Sequence, residues 1–194
     1  MEDPNTGITL WETGAIIQYI IEQYDTKHVL SYDSLKEKHL CNQWLAFQIS
    51  GQGPYFGQVA WFTSLHPEKV QSAIDRYTNE LKRILGVLES VLSGGQQWLV
   101  GDKMTFADLS FTVWNDRIDS ITFCAPDKKF EGFHNVQAWH ERMTGRPAWK
   151  TIMEKRAQLM DDQGLQPNGM PNGVNSFEEY QAMIKAHAEK AAQK

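Results

Sequence analysis

Cysteine is scarce in this 194-residue sequence: Cys41 and Cys124 stand alone, at no spacing that suits a metal or a redox pair. Two such thiols make no disulfide framework. They fit a reducing compartment, where both read as small core residues. Positive charge is also short. Lys and Arg number 19 against 24 Asp and Glu, a net charge of −5 without the basic excess of a general nucleic-acid binder. No apolar run approaches bilayer length, the longest, near Ala15–Ile21, being far too short. The opening Met1-Glu2-Asp3-Pro4-Asn5 is acidic and turn-forming, unlike a secretory signal, so the sequence reads as cytoplasmic. His66, His134 and His140 are too scattered for a metal set, and none pairs with a nucleophile. Neither a metal site nor a catalytic side chain is assigned, and there is no internal repeat.

What the sequence does have is helix punctuation and aromatic mass, including seven tryptophans. Thr105 and Asp108 have the spacing of a capping box, with Met104 and Leu109 placed to staple it. Phe106, Leu109, Val113 and Ile118 then recur at helical spacing, which predicts a central, buried helix. Ser34 and Glu37 make a second box ahead of a long helix carrying Leu40, Trp44, Leu45, Phe47 and Gln48. Gly51-Gln52-Gly53-Pro54 should interrupt it, and the pattern resumes through Tyr55 to Phe62. Pro67 suits the start of a helix with Val70, Ile74, Tyr77, Leu81, Ile84, Leu85 and Leu88 on one face. Helices containing Trp139 and then Trp149 follow. Residues 161–173 read as an extended loop, and Ser176 with Glu179 caps a terminal helix.

The front of the chain is different. Pro4-Asn5-Thr6-Gly7 is a turn signal before the β-type run Ile8-Thr9-Leu10-Trp11, a hairpin that needs a packing partner. A helix starts at Glu12-Thr13, with Ile16, Ile17, Ile20 and Tyr24 on one stripe and Ile21 beside it. Such a helix start offers free N–H groups and partial positive charge to a small carboxylate. The Thr13 hydroxyl adds a donor, and Glu12 can take an ammonium group nearby. Together they suit the α-amino-acid end of a peptide. Taken alone, the pair reads more readily as an ordinary cap, Thr13 closing the helix and Glu12 favouring its dipole.

Two stretches change that order. Gln97-Trp98-Leu99-Val100-Gly101-Asp102-Lys103-Met104-Thr105-Phe106-Ala107-Asp108 resembles the helical-domain signature of the glutathione transferase family, where it serves folding. Leu10-Trp11-Glu12-Thr13-Gly14-Ala15-Ile16 is similar to the family's W-E-S-G-A-I signature, whose Glu-Ser pair holds the γ-glutamyl end of glutathione; here threonine replaces serine. Phe47 to Gln58, after Asn42-Gln43-Trp44-Leu45, resembles the fungal nitrogen-regulator-like transferases and their bacterial Nu-class relatives.

The resemblance implies a mostly α fold: a remnant of a thioredoxin-like domain (hairpin plus helix, 1–28), an all-helical C-terminal domain (34–160), then a loop and helix (161–194). It implies Glu12 and Thr13 as the glutathione-binding pair, with glutathione as co-substrate. Tyr55, Phe56, Trp61 and Trp114 are candidates for the second-substrate pocket, core packing around a kink being the equal alternative for each. A homodimer that adds glutathione thiolate to a hydrophobic electrophile, or carries out glutathione-dependent disulfide or peroxide reduction, in detoxification, is implied in turn. The thiol-activating residue and the cis-proline loop of family members precede the segment that Met1–Trp11 matches. Activity of this stretch alone is therefore expected to be weak, and Ile8, Leu10, Ile16, Ile17 and Ile20 are expected to lie exposed. The competing expectation is a non-enzymatic ligand-binding or regulatory protein on the same fold.

Overall fold

The computed structural model describes residues 1–166, 169–174 and 177–192. Strands β1 (Glu2–Asp3) and β2 (Ile8–Thr9) pair antiparallel, Glu2 opposite Thr9 and Asp3 opposite Ile8. So short a ribbon needs a clamp. Helix α1 (Thr13–Tyr24) supplies it: Tyr19 Oη donates to the buried Asp3 carboxylate at 2.7 Å, and Tyr24 Oη donates to the same oxygen. These phenols, Tyr19 first, hold the Asp3 carboxyl down at about 2. Ile8 and Ile20 are exposed as the resemblance implies, whereas Ile17 packs with Ile21 against the helical core.

The linker after α1 is built around Asp25. Its carboxylate accepts from Val29 N at 2.7 Å, Leu30 N at 2.9 Å and Ser31 Oγ at 2.7 Å. The Leu30 carbonyl in turn accepts from Phe106 N at 2.8 Å, and Lys103 Nζ donates to the His28 carbonyl. The linker is thus sewn to the start of the central helix.

The rest is helical. Helix α2 (Leu35–Phe47) passes without a break into a π-helical turn (Gln48–Gln52) and α3 (Gly53–Ala60), and a second π turn (Trp61–Leu65) ends the run. The expected interruption at Gly51–Pro54 is therefore a widened turn: the helix continues through Pro54, which has no N–H to give the turn before it, and the wider π turn lies where that bond is missing. Ser34 does precede α2, where its hydroxyl donates to the Glu37 carboxylate. Helix α4 (Gln71–Leu92) begins after Val70, not at Pro67, and buries Leu81, Ile84, Leu85, Leu88 and Leu92. Each of these contributes ~1.5–3 kcal/mol by leaving water.

Helix α5 (Phe106–Asp116) is the centre, packed by α2, the first π turn and α7 (His134–Thr144). It buries Phe106, Ala107, Asp108, Phe111, Thr112 and Asn115, while Val113 is 59% exposed. Of the stripe read from the sequence, Phe106 and Ile118 are buried and Leu109 packs against the core, so Val113 alone departs from it. A short α6 (Ile118–Thr122) follows, and α8 (Pro147–Asp162) and α9 (Phe177–Ala192) complete the chain. Ser176, expected to cap α9, lies outside the described residues. Between α8 and α9 the chain folds back on itself instead of running extended: Leu165 bridges Pro171, and Met170 and Val174 are buried.

Two features of α7 were not legible in the sequence. Its first turn is capped from α4, with Glu89 accepting from Val136 N at 2.9 Å and Asn135 Nδ2 at 2.7 Å. His140 lies 6% exposed against Phe130, and burial, with the nearby Lys129, pulls its pKa down to about 4. A base depressed in the folded state binds its proton more readily when unfolded. Its contribution is complete above the unfolded value of 6.5 and is lost as pH falls towards 4. Urea titrations at pH 7 and pH 4.5 should show His140→Phe losing less stability on acidification than the parent, by ~2–3 kcal/mol.

Candidate functional site

Glu12 occupies the cap position of α1 with φ 70° and ψ 118°, a backbone that a residue with a β-carbon rarely adopts. Such strain concentrates at functional sites. Its carbonyl accepts the first helical bond, from Ile16 N at 3.0 Å. Thr13, the first helical residue, leaves its own N–H and those of Gly14 and Ala15 without intrahelical acceptors. The Glu12 and Thr13 side chains are exposed, and no hydrogen bond or ion pair within the described residues engages either. Thr13 therefore does not cap the helix, as the plainer reading of the pair held. The arrangement offers an anion three backbone donors, a hydroxyl and the positive end of a helix dipole, with a carboxylate beside it for a cation.

Gly14 is the only residue of α1 counted as fully buried. A β-carbon there would lie 2.2 Å from Ile49 Cδ1, so the first turn of α1 sits directly on the π turn that follows α2.

The four aromatic candidates separate. Phe56 is wholly buried and meets Trp114 edge-on, ring centroids 6.1 Å apart. Tyr55 is half-buried against Tyr77 of α4, at 6.3 Å. Trp61 is 43% exposed and walls a cavity of about 800 Å³ with Leu65, Met170, Pro171, Tyr180 and Ile184. Trp114 lies over Gly53 and Gly57 of α3 and lines a neighbouring cavity of about 380 Å³ with Ala60, Leu65, Val113, Arg117 and Met170. Leu65 and Met170 belong to both walls, so Trp61 and Trp114 face one largely apolar region from two sides. Glu12, Thr13, Tyr55 and Phe56 line neither of these two cavities.

Sequence reasoning missed Leu65, Arg117 and Met170. Leu65 stands four residues after Trp61, a helical spacing that was available. Met170 sits in a polar loop and carries no local signal. Among the described residues, no group of three His, Cys, Asp or Glu side chains is placed to hold a metal ion. None of their helices is long and apolar enough to cross a membrane.

Comparison with known proteins identifies the fold family. The profile of the glutathione S-transferase C-terminal domain matches residues 54–147. The glutathione S-transferase-like protein gedE of Aspergillus terreus is 42% identical over 160 residues, which cover 78% of this chain and 70% of that protein. The crystal structure of glutathione transferase URE2P6 from Phanerochaete chrysosporium, in complex with oxidized glutathione, superposes with a TM-score of 0.74 at 47% identity, covering 79% of this chain and 70% of that one. Ure2p5 from the same organism, cocrystallized with 1-(S-glutathionyl)-2,4-dinitrobenzene, gives 0.73 at 39% identity, over 81% and 73% of the two chains. With such identity over most of both lengths, and with the capping box and the Glu12–Thr13 turn in place, this chain belongs to the glutathione S-transferase family, alongside its fungal Ure2-type members.

Proposed function

We propose that the chain binds glutathione through Glu12 and Thr13 and presents its thiol to a hydrophobic electrophile or a disulfide held near Trp61 and Trp114. The observation that carries this reading is the strained Glu12–Thr13 turn, whose donors and carboxylate have no partner within the described residues. The γ-glutamyl carboxylate takes the α1 N–H groups and the Thr13 hydroxyl; its ammonium pairs with Glu12. Apolar walls around Leu65 and Met170 suit a second substrate of low polarity. The complexes of URE2P6 with oxidized glutathione and of Ure2p5 with a glutathionyl dinitrobenzene support glutathione as the co-substrate. A cytoplasmic homodimer is part of the same proposal, on family precedent.

The reaction is nucleophilic. A glutathione thiolate attacks the electrophilic carbon, forming a C–S bond and expelling a leaving group, or attacks a disulfide sulfur and expels a thiolate. Thiolate stabilisation needs a positioned donor, which the family resemblance does not assign to any of residues 1–194. For these residues by themselves we propose weak turnover. The test is formation of the glutathione conjugate from 1-chloro-2,4-dinitrobenzene, followed against a protein-free control. Slow, saturable conjugation lost in Glu12→Ala supports the reading. Binding of an apolar dye near Trp61 with no glutathione-dependent reaction favours the ligand-binding alternative, for which the 800 Å³ cavity is the supporting observation.

A further inference from the structure

The π turn between α2 and α3 is held by a buried chain of amides. Gln52, wholly buried, donates from Nε2 to Asn115 Oδ1 at 2.8 Å and to the Phe111 carbonyl at 3.3 Å, while Gln48 Nε2 donates to Gln52 Oε1 at 3.3 Å. A π turn is rare and short, and burying amides among apolar side chains costs free energy unless they are bonded. Here the bonds tie the turn to α5, with the buried Asn115 Nδ2 left without a hydrogen-bond partner among the described residues. Between Gln48 and Gln52, on the same turn, Ile49 projects onto Gly14, filling the space that a β-carbon at Gly14 would take. Gly14 follows Thr13 directly. The turn that carries Gln52 and Ile49 therefore links α5 to the start of α1.

We infer that Ile49, fixed by the Gln48–Gln52–Asn115 amide chain, is a positioning residue for the glutathione-holding pair: it sets where the Glu12–Thr13 turn sits relative to the helical domain. The inference rests on the glutathione reading above. An α-helical continuation in place of the wide turn would rotate Ile49 by about 100° for each residue of register. The seat under Gly14 would then be lost, although both elements stayed folded. A buried amide network thereby acts on ligand affinity with no atom in contact with the ligand.

The test is a double-mutant cycle of Gly14→Ala and Ile49→Ala on the full chain, read by calorimetric glutathione binding and by thermal melting, with Glu12→Ala as a control. Gly14→Ala should weaken binding ~tenfold, because its β-carbon would stand 2.2 Å from Ile49 Cδ1 and 3.2 Å from Cγ1 and displace the half-exposed Ile49 from its seat. Ile49→Ala should weaken it less. The double variant should bind no worse than Gly14→Ala, because the added methyl then finds room. Gln52→Leu, of similar volume, should also weaken binding while the protein stays folded. A purely structural role predicts altered melting with unchanged affinity in folded samples, and that result overturns the inference. So do fully additive losses in affinity; if Glu12→Ala still abolishes binding in that case, the glutathione reading stands alone. A folded parent chain that binds no glutathione overturns both.

Discussion

Asp108→Ala should cost this protein ~3–5 kcal/mol of stability in denaturant titrations, a large share of what holds it folded. Asp108 is wholly buried. Its carboxylate accepts from Thr105 N at 2.8 Å, Thr105 Oγ1 at 3.0 Å, Leu99 N at 2.9 Å and Trp139 Nε1 at 2.9 Å. It thus joins the first turn of α5, the segment before it and the core of α7. Burial pushes its pKa up, against four hydrogen bonds that pull it down. Alanine leaves these donors without an acceptor in the interior, where each stranded group costs ~1–3 kcal/mol. Total stability for a domain is itself only ~5–15 kcal/mol. Asp108→Asn, which keeps one carbonyl oxygen but turns an NH₂ towards a donor, should lose less. A melting temperature within a degree or two of the parent for Asp108→Ala would show that the box caps a helix and does little more.

Gly101→Val should be the next most damaging, at ~2–4 kcal/mol, and should loosen the front of the chain as well. Gly101 has φ +64°, a conformation that costs a side-chain-bearing residue ~1–2 kcal/mol. A β-carbon there would also lie 2.2 Å from Tyr32 Oη. That hydroxyl accepts from Asp102 N at 3.1 Å and donates to Asp102 Oδ1 at 2.9 Å, while Lys103 Nζ sits 4.4 Å from the centre of the Tyr32 ring. Displacing Tyr32 therefore breaks a contact between the linker and the segment before α5. Hydrogen exchange should speed up in the linker at Val29 and Leu30, whose N–H groups Asp25 holds, as well as around Gly101. Faster exchange confined to 100–103 would contradict the linkage.

The readable parts of this protein were local ones. The Thr105–Asp108 box is set within a few residues, so cap chemistry written in the sequence is enough to place it, and the α1 start at Thr13 follows from the apolar stripe behind it. The π turn was read as a break because its stability comes from Gln52 meeting Phe111 and Asn115, 59 and 63 positions away. The α7 cap comes from Glu89, 47 positions before Val136. Val113 was assigned to the core because periodicity reports which residues share a face and not how many neighbours enclose the helix. At the candidate site, Glu12 and Thr13 are candidates on sequence grounds, and the structure puts them at the start of α1 with their side chains exposed. The walls around Trp61 and Trp114 could not be completed, because Met170 reaches them from a loop with no apolar pattern of its own.

The measurement that bears most directly on the account is calorimetric titration of glutathione into this chain, beside Glu12→Ala and Thr13→Val. The account predicts saturable binding to the parent, with Glu12→Ala weaker by at least ~tenfold, as expected for loss of a charged hydrogen bond, and Thr13→Val weaker by a smaller factor. Equal affinity in all three, or no heat of binding in a folded parent, would contradict it.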